Sequence, residues 1–347
     1  MPPHATPTSS DDRAAAGALA AGPLAAGPRA AGKLLRALGP VWGLALVIII
    51  FAAIPPHHGV NLLQFRTILV HTVIVAVAAL GMSVIIAMGG IDLSVGSGVA
   101  LAGVVGAVAL KQSLPLPVAI VAALASGLVC GLYNGLLITV LRLPPFIATL
   151  GTLGAYRGLA KWIAGNSPVS PQDLQGLNTF LVPTPPPGLE WMLVAPGVWL
   201  MLALSVAVSA LIRSTIFGRS VLAIGGNEVA ARYAGLGVAS IKAKAYALGG
   251  LFVGLAGLLQ LSRLTQGDPT VSGGLELDVI AAVVIGGASL AGGHVSIAGT
   301  LCGALMMAYL KNRCSVLQWP NFVQEMIVGH IIIAAVAMDM WRRRRAK

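Results

Sequence analysis

The chain has 347 residues, 57% hydrophobic and 10% charged, with 43 Gly, 21 Pro and a mean hydropathy of +0.88. A soluble domain is about 45–50% apolar and about 25% charged, so this composition excludes an ordinary soluble enzyme and a mostly disordered chain. Lys and Arg number 22 against 11 Asp and Glu, for a net charge of +11; beside so much apolar sequence, that excess points to membrane-surface loops and lipid headgroups rather than nucleic acid.

Residues 1–36 are Ala, Gly and Pro with scattered charge and no packing pattern, which predicts a disordered tail. Within it, Gly27 to Lys33 has the spacing of a phosphate loop. Leu34 replaces the hydroxyl that would hold magnesium and no strand precedes it, so the match reads as chance. From residue 37 to 347 apolar runs follow one another with short breaks. A crossing needs about 20 residues. The runs therefore predict an all-α polytopic membrane protein of about ten transmembrane helices, near 40–56, 67–88, 93–110, 117–141, 146–163, 191–212, 243–262, 277–292, 295–311 and 321–341. The runs at 277–292 and 295–311 are short, Gly-rich and barely separated, so a broken or re-entrant helix is expected there; the break at 89–92 is of the same kind. Gly127, Gly131 and Gly135 recur at four-residue spacing, as do the pairs Gly154 and Gly158, Gly250 and Gly254, and Gly299 and Gly303. Such faces let helix backbones approach closely in lipid. Cys130 and Cys302 sit inside apolar runs and no CxxC occurs, so neither a disulfide nor a metal site is expected.

With ten crossings both termini lie on one side. Placing them in the cytoplasm puts fifteen of the 22 basic residues inside, the run Arg342 to Arg345 among them, and seven outside, as the positive-inside rule asks. The Pro-rich segment 164–190 is then the longest external loop. The longest cytoplasmic loop is 213–242, basic apart from a single acid, Glu228.

Two motifs carry candidate chemistry. Gly89-Gly90-Ile91-Asp92-Leu93-Ser94-Val95-Gly96 places an acid at membrane depth, which is expensive and points to function. It equally reads as a helix start, with the Asp92 carboxylate as N-cap accepting the amide hydrogen of Ser94 or Val95. A capped, broken helix beside a transport path satisfies both readings. Four of the eight positions match Gly286 to Gly293 at an offset of 197, which points to two pseudo-repeated halves. The second motif runs from Gly225 to Gly235. Asn227 suits an N-cap, Glu228 the first turn, and Arg232 pairs with Glu228 at i+4. Gly235 and Gly237 can end the helix, and the small Ala230, Ala231 and Ala234 keep its surface low. The prediction is a helix of about two turns that docks into a groove on another protein, or a solvated helix tying two crossings together. Tyr133, Asn134, Thr149, Thr152, Tyr156 and Gln260 are polar or aromatic residues within the runs. They are candidates for substrate contact along a translocation path, and serve equally well as helix–helix glue. His71 and His330 read as helix contacts. No metal-ligand spacing and no nucleophile with its base occur, so no enzyme is expected.

Taken in order, these segments resemble the membrane subunits of ribose-type sugar importers of the ATP-binding-cassette class. Gly89 to Gly96 is similar to that family's signature after the second crossing, and Phe146 to Thr152 to a second stretch. Phe217 to Ser220 with Asn227 to Gly235 is similar to its long cytoplasmic loop, and Glu276 to Gly287 with Gly292 and Gly293 to a fourth segment. The resemblance covers about residues 40–340. It implies an all-helical permease subunit in the bacterial cytoplasmic (inner) membrane, working as a homodimer or paired with a second permease. It also implies a separate ATPase subunit that holds ATP and magnesium, so this chain has no cofactor of its own, and an external, periplasmic sugar-binding protein. Asn227, Glu228, Ala230, Ala231, Arg232 and Gly235 then look like the coupling helix that seats in the ATPase. Asp268, Glu276 and Asp278, with the Pro-rich loop, would face the binding protein; Asp278 alternatively caps a helix start. Membrane lipid is a partner and nucleic acid is not. The implied cargo is a monosaccharide, a ribose-like pentose, a hexose or a related polyol. Branched-chain amino acids or nucleosides are the nearest alternative, since those permeases look distantly similar, and the Gly-Gly-Ile-Asp-Leu-Ser stretch favours the sugar branch. An ion-coupled secondary transporter would need more intramembrane acids than Asp92 and Glu325.

Overall fold

The computed structural model describes residues 39–54, 60–185 and 188–346. The tail at 1–36 and its phosphate-loop look-alike lie outside them. Among the described residues there are twelve α-helices and no strand. They are α1 Gly39–Ala52, α2 Leu62–Ala87, α3 Val95–Lys111, α4 Leu116–Thr139, α5 Pro145–Ala164, α6 Pro196–Ser214, α7 Ile216–Gly226, α8 Glu228–Tyr233, α9 Val238–Leu264, α10 Leu275–Ile285, α11 Ile297–Val316 and α12 Asn321–Ala346. Two 3-10 turns, Leu177–Leu181 and Glu190–Met192, lie between α5 and α6. By length and composition α2, α4, α6, α9 and the 321–338 part of α12 can cross a membrane, and α1, α3 and α7 are shorter apolar helices. The chain is a multi-pass membrane protein.

Local chemistry sets the helix ends. Asn61 and Gln64 form a capping box at the start of α2: Gln64 N–H donates to Asn61 Oδ1 at 2.7 Å and Asn61 N–H to Gln64 Oε1 at 3.3 Å. Prolines stand in the first turn of α4, α5 and α6, where a missing N–H costs nothing. Thr215 caps α7 and Ser296 caps α11, each accepting the amide hydrogen three residues on.

Each apolar run predicted to cross coincides with a helix over part of its length; the 277–292 run is broken as expected, and two segments depart from expectation. The 277–292 run is helical only to Ile285, because Gly287, Gly292 and Gly293 take left-handed φ of +90°, +85° and +81°. At 11 residues α10 is about 16 Å long, half of what the hydrocarbon core requires. The 191–212 run becomes α-helical only at Pro196, since the chain first makes the 3-10 turn at Glu190–Met192. The loop at 213–242 contains a helix beyond the expected one, α7, which buries Val221 and Ile224.

The core is built around α2. Every residue from Thr72 to Ala87 is buried, and α6, α9, α10 and α11 pack around it. Helices α4 and α9 meet through Gly127 and Gly131 on one and Gly250 and Gly254 on the other. A Cβ on Gly250 would stand 2.7 Å from Gly131 Cα, and one on Gly131 2.8 Å from Gly250 Cα. Gly299 and Gly303 likewise lie against Gly286 and Ala282, whereas Gly154 and Gly158 meet nothing within 4 Å.

One end of the bundle gathers the connections after α3, α5 and α9. Gln175 donates to Leu114 O at 3.0 Å and accepts from Leu116 N at 2.8 Å. Val169 and Gly267 pair as an isolated antiparallel bridge.

Candidate functional site

Helix α8 is short but fixed at both ends. Asn227 is extended (φ −160°, ψ 102°), and its Oδ1 accepts from Ala230 N–H at 3.0 Å. At the other end Gly235 takes φ +82°. Gly235 N–H donates to Arg232 O at 3.0 Å and Leu236 N–H to Ala231 O at 3.1 Å, the paired bonds of a Schellman stop. Glu228 bonds Arg232 at 3.1 Å and Lys242, on the first turns of α9, at 2.7 Å. Lys242 is the residue that ties α8 to the bundle, and nothing in a 14-residue separation signals it. Ala231 is buried, while Val229 (64% exposed) and Tyr233 (89%), four residues apart, present an apolar face outward.

The Lys242 hydrogen bond, aided by Arg232, holds the Glu228 carboxyl below its ordinary value of 4.5. A depressed carboxyl pKa stabilises the fold fully above the unfolded value and loses that contribution as pH falls through the folded one. A spin label on Tyr233→Cys should therefore be restrained at neutral pH and loosen below about pH 4.5. Glu228→Gln should show the loosened spectrum at pH 7.

The second site is the break between α2 and α3. Asp92 is buried, and its Oδ1 accepts from Ser94 N–H at 2.8 Å and Ser94 Oγ–H at 2.6 Å. The N-cap position belongs to Ser94, not Asp92: the carboxylate stands two residues before it and closes an Asx turn. Asn134 of α4 donates to Ser94 Oγ at 2.9 Å and reaches both Asp92 oxygens at 3.4 Å. Its own Oδ1 accepts from Thr152 at 2.7 Å and Tyr156 at 3.1 Å on α5. Tyr156 also donates to Cys130 O at 2.8 Å. Ile91 O, which no helix bond reaches, accepts from Tyr246 at 3.2 Å and Thr149 at 3.4 Å. Five of the predicted residues, Asp92, Ser94, Asn134, Thr152 and Tyr156, thus form one buried network, and Thr149 holds the adjoining carbonyl. Tyr133 is half exposed on α4, and Gln260 is buried on α9 outside the network. Unpaired polar groups at this depth are costly, so a network this closely satisfied fixes the broken backbone.

The break at 286–296 meets the first one. Gly293 N–H donates to Ala87 O at 2.9 Å. Gly225, at the end of α7, lies so close to both that a Cβ there would stand 2.5 Å from Gly293 N and 3.0 Å from Ala87 C. The residue preceding α8 by three thus touches the backbone of both helix breaks.

At the opposite end, Asp268 Oδ1 accepts from Thr270 N–H and Oγ–H, both at 2.7 Å. Arg157 donates to Pro269 O and Val271 O, both at 2.7 Å, pinning the same connection. Glu276 is half-buried and accepts from Gly274 N–H at 3.2 Å. Asp278 does not cap α10, which starts at Leu275. It is buried and its carboxylate is taken up by Lys311 of α11.

Residues 64–336 match the family model described as branched-chain amino acid transport system / permease component. The ribose import permease protein of Escherichia coli (strain K12) is 37% identical over 305 residues, covering 85% of this chain and 91% of that one. The L-arabinose ABC transporter permease protein of Azospirillum brasilense is 34% identical over 90% of this chain and 93% of its own. The autoinducer 2 import system permease protein of Yersinia enterocolitica is 34% identical over 80% and 76%. No solved structure gives a significant match.

Proposed function

Because the chain belongs to the branched-chain amino acid transport system / permease component family, we propose that it is the permease subunit of an ATP-binding-cassette importer carrying a monosaccharide. The full-length relatives whose names specify ribose and L-arabinose support a sugar cargo over a branched-chain amino acid. ATP and magnesium belong to a separate ATPase subunit, a periplasmic binding protein delivers the sugar, and a second permease, identical or related, completes the pathway. The membrane is the bacterial inner membrane. About ten crossings, with both termini cytoplasmic, put the α7–α8 end inside and the Pro-rich end outside. The meeting of the two helix breaks supports two pseudo-repeated halves.

The observation that carries the coupling role is the construction of α8. A six-residue helix is too short to be stable alone, yet this one is capped at both ends, ion-paired to α9 and exposes Val229 and Tyr233. A rigid knob with a small apolar face suits insertion into a partner's cleft. ATP-driven movement of that partner then reaches the helix breaks through Gly225.

The test is uptake of labelled D-ribose by cells expressing the chain together with an ATPase subunit and a periplasmic binding protein of a ribose importer. Val229→Asp with Tyr233→Asp should lower uptake about tenfold or more at equal membrane protein, the loss typical of removing an interface anchor. Glu228→Lys and Gly235→Arg should do the same by unfixing α8. Normal uptake in all three would overturn the coupling role.

A further inference from the structure

Between α2, α9, α11 and the start of α10 lies a cavity of about 270 Å³, lined by His71, Gln260, Arg263, Ser272, Asp278 and Lys311. Two of these side chains turn polar atoms to the cavity that no described residue pairs. Gln260 is 5% exposed, faces the cavity, and its amide makes no hydrogen bond among the described residues. Arg263 forms no ion pair with a described carboxylate; its Nη1 lies 3.4 Å from His71 Nδ1, and its Nε is buried without a partner. Lys311, by contrast, is neutralised by Asp278. The lining therefore carries two cations against one anion, with donors in excess of acceptors. A half-buried guanidinium with no carboxylate partner among the described residues, its Nε closed off from solvent, is a ready seat for an anion.

We propose that this cavity binds a small, hydroxyl-bearing ligand with one carboxylate, of the sugar-acid class. The carboxylate meets the Arg263 guanidinium, which offers a planar fork matched to it. A ligand hydroxyl meets the Gln260 amide. The volume suits a five- or six-carbon acid and lies below the range of sites for larger ligands. The proposal rests on the importer reading for its sugar framework and on the cavity alone for its charge.

The test is calorimetric binding to the purified full chain in detergent, with D-ribonate, D-ribose and acetate as probes. D-Ribonate should bind at least about tenfold more tightly than either of the others, since only it offers both the anion and the hydroxyls. Arg263→Gln should remove the preference for D-ribonate over D-ribose, and Gln260→Leu should weaken D-ribonate several-fold while keeping that preference. Arg263→Lys, which keeps the charge but not the fork, should fall between and serves as the variant should Arg263→Gln fail to fold. Equal affinity for D-ribonate and D-ribose, a preference that survives in both Arg263 variants, or no D-ribonate binding at up to about 50 mM would each overturn the proposal. A chain that supports D-ribose uptake yet binds no D-ribonate overturns it and leaves the importer reading standing.

Discussion

Gly250→Leu is expected to leave almost no correctly folded chain. On α9, Gly250 faces Gly127 and Gly131 of α4, and a Cβ there would stand 2.7 Å from both Gly131 Cα and Gly131 N. Those are backbone atoms, so no side chain can swing aside and the two helices must separate. Overpacking a close contact costs about 1–3 kcal/mol even where neighbours can adjust, and a leucine at a backbone-to-backbone crossing exceeds that range. Separation would also shift Tyr246, which lies one turn away and holds Ile91 O at 3.2 Å. Gly151→Leu on α5 is the control, since a Cβ there meets nothing within 4 Å. Size-exclusion of the detergent-extracted chain reads the result. A wild-type amount of monodisperse Gly250→Leu would defeat the packing argument.

The second large effect is expected at Asp92, where the replacement decides the outcome. Asp92→Leu removes the acceptor for Ser94 N–H and Oγ–H and strands both in a buried turn. A buried donor left without an acceptor costs about 1–3 kcal/mol, and two are stranded here. A total above about 3 kcal/mol, at roughly 2–4 °C per kcal/mol, lowers the thermal midpoint by about 6–12 °C. Asp92→Asn keeps an oxygen at the same position and should stay within about 2 °C of the parent. Equal loss in both variants would mean that the charge of Asp92 matters and the turn does not.

The sequence disclosed most about segments whose partners are close in the chain. The cap, ion pair and glycine stop of α8 fall within nine residues, so Asn227, Glu228, Arg232 and Gly235 could be assigned roles from spacing alone. Asn61 and Gln64 also advertise their capping box at three-residue spacing, yet the expected crossing began only at 67. Hydropathy marks where lipid is met, not where a helix begins. The glycines at 127, 131, 250 and 254 were legible as close-approach faces, but which face meets which is a tertiary fact. So is the joining of Asp92 to Asn134, Thr152 and Tyr156 across 42 to 64 residues. Asn134, Thr152 and Tyr156, three of the six residues proposed for a translocation path, are mutual partners, as polar groups in lipid seek each other. The break in the 277–292 run was legible because glycines crowd its end, and Gly287, Gly292 and Gly293 take the positive φ that ends the helix.

The burial of α2 has a consequence for how the molecule is made. Of the helices that enclose it, α9, α10 and α11 emerge from the ribosome more than 150 residues after its own last residue. Through that interval α2 stands among lipids, and at synthesis rates of about 5–20 residues per second the wait is on the order of ten seconds or more. Its hydroxyls anticipate this exposure. Thr72 and Ser83 each bond the carbonyl four residues back, at 2.8 and 2.7 Å, within α2 itself. Ser83 gains its interhelical contact, Thr300 Oγ1 at 3.1 Å, only when α11 arrives. The innermost helix is thus a guest of the bilayer first and of the protein second, and it is built to be comfortable in both.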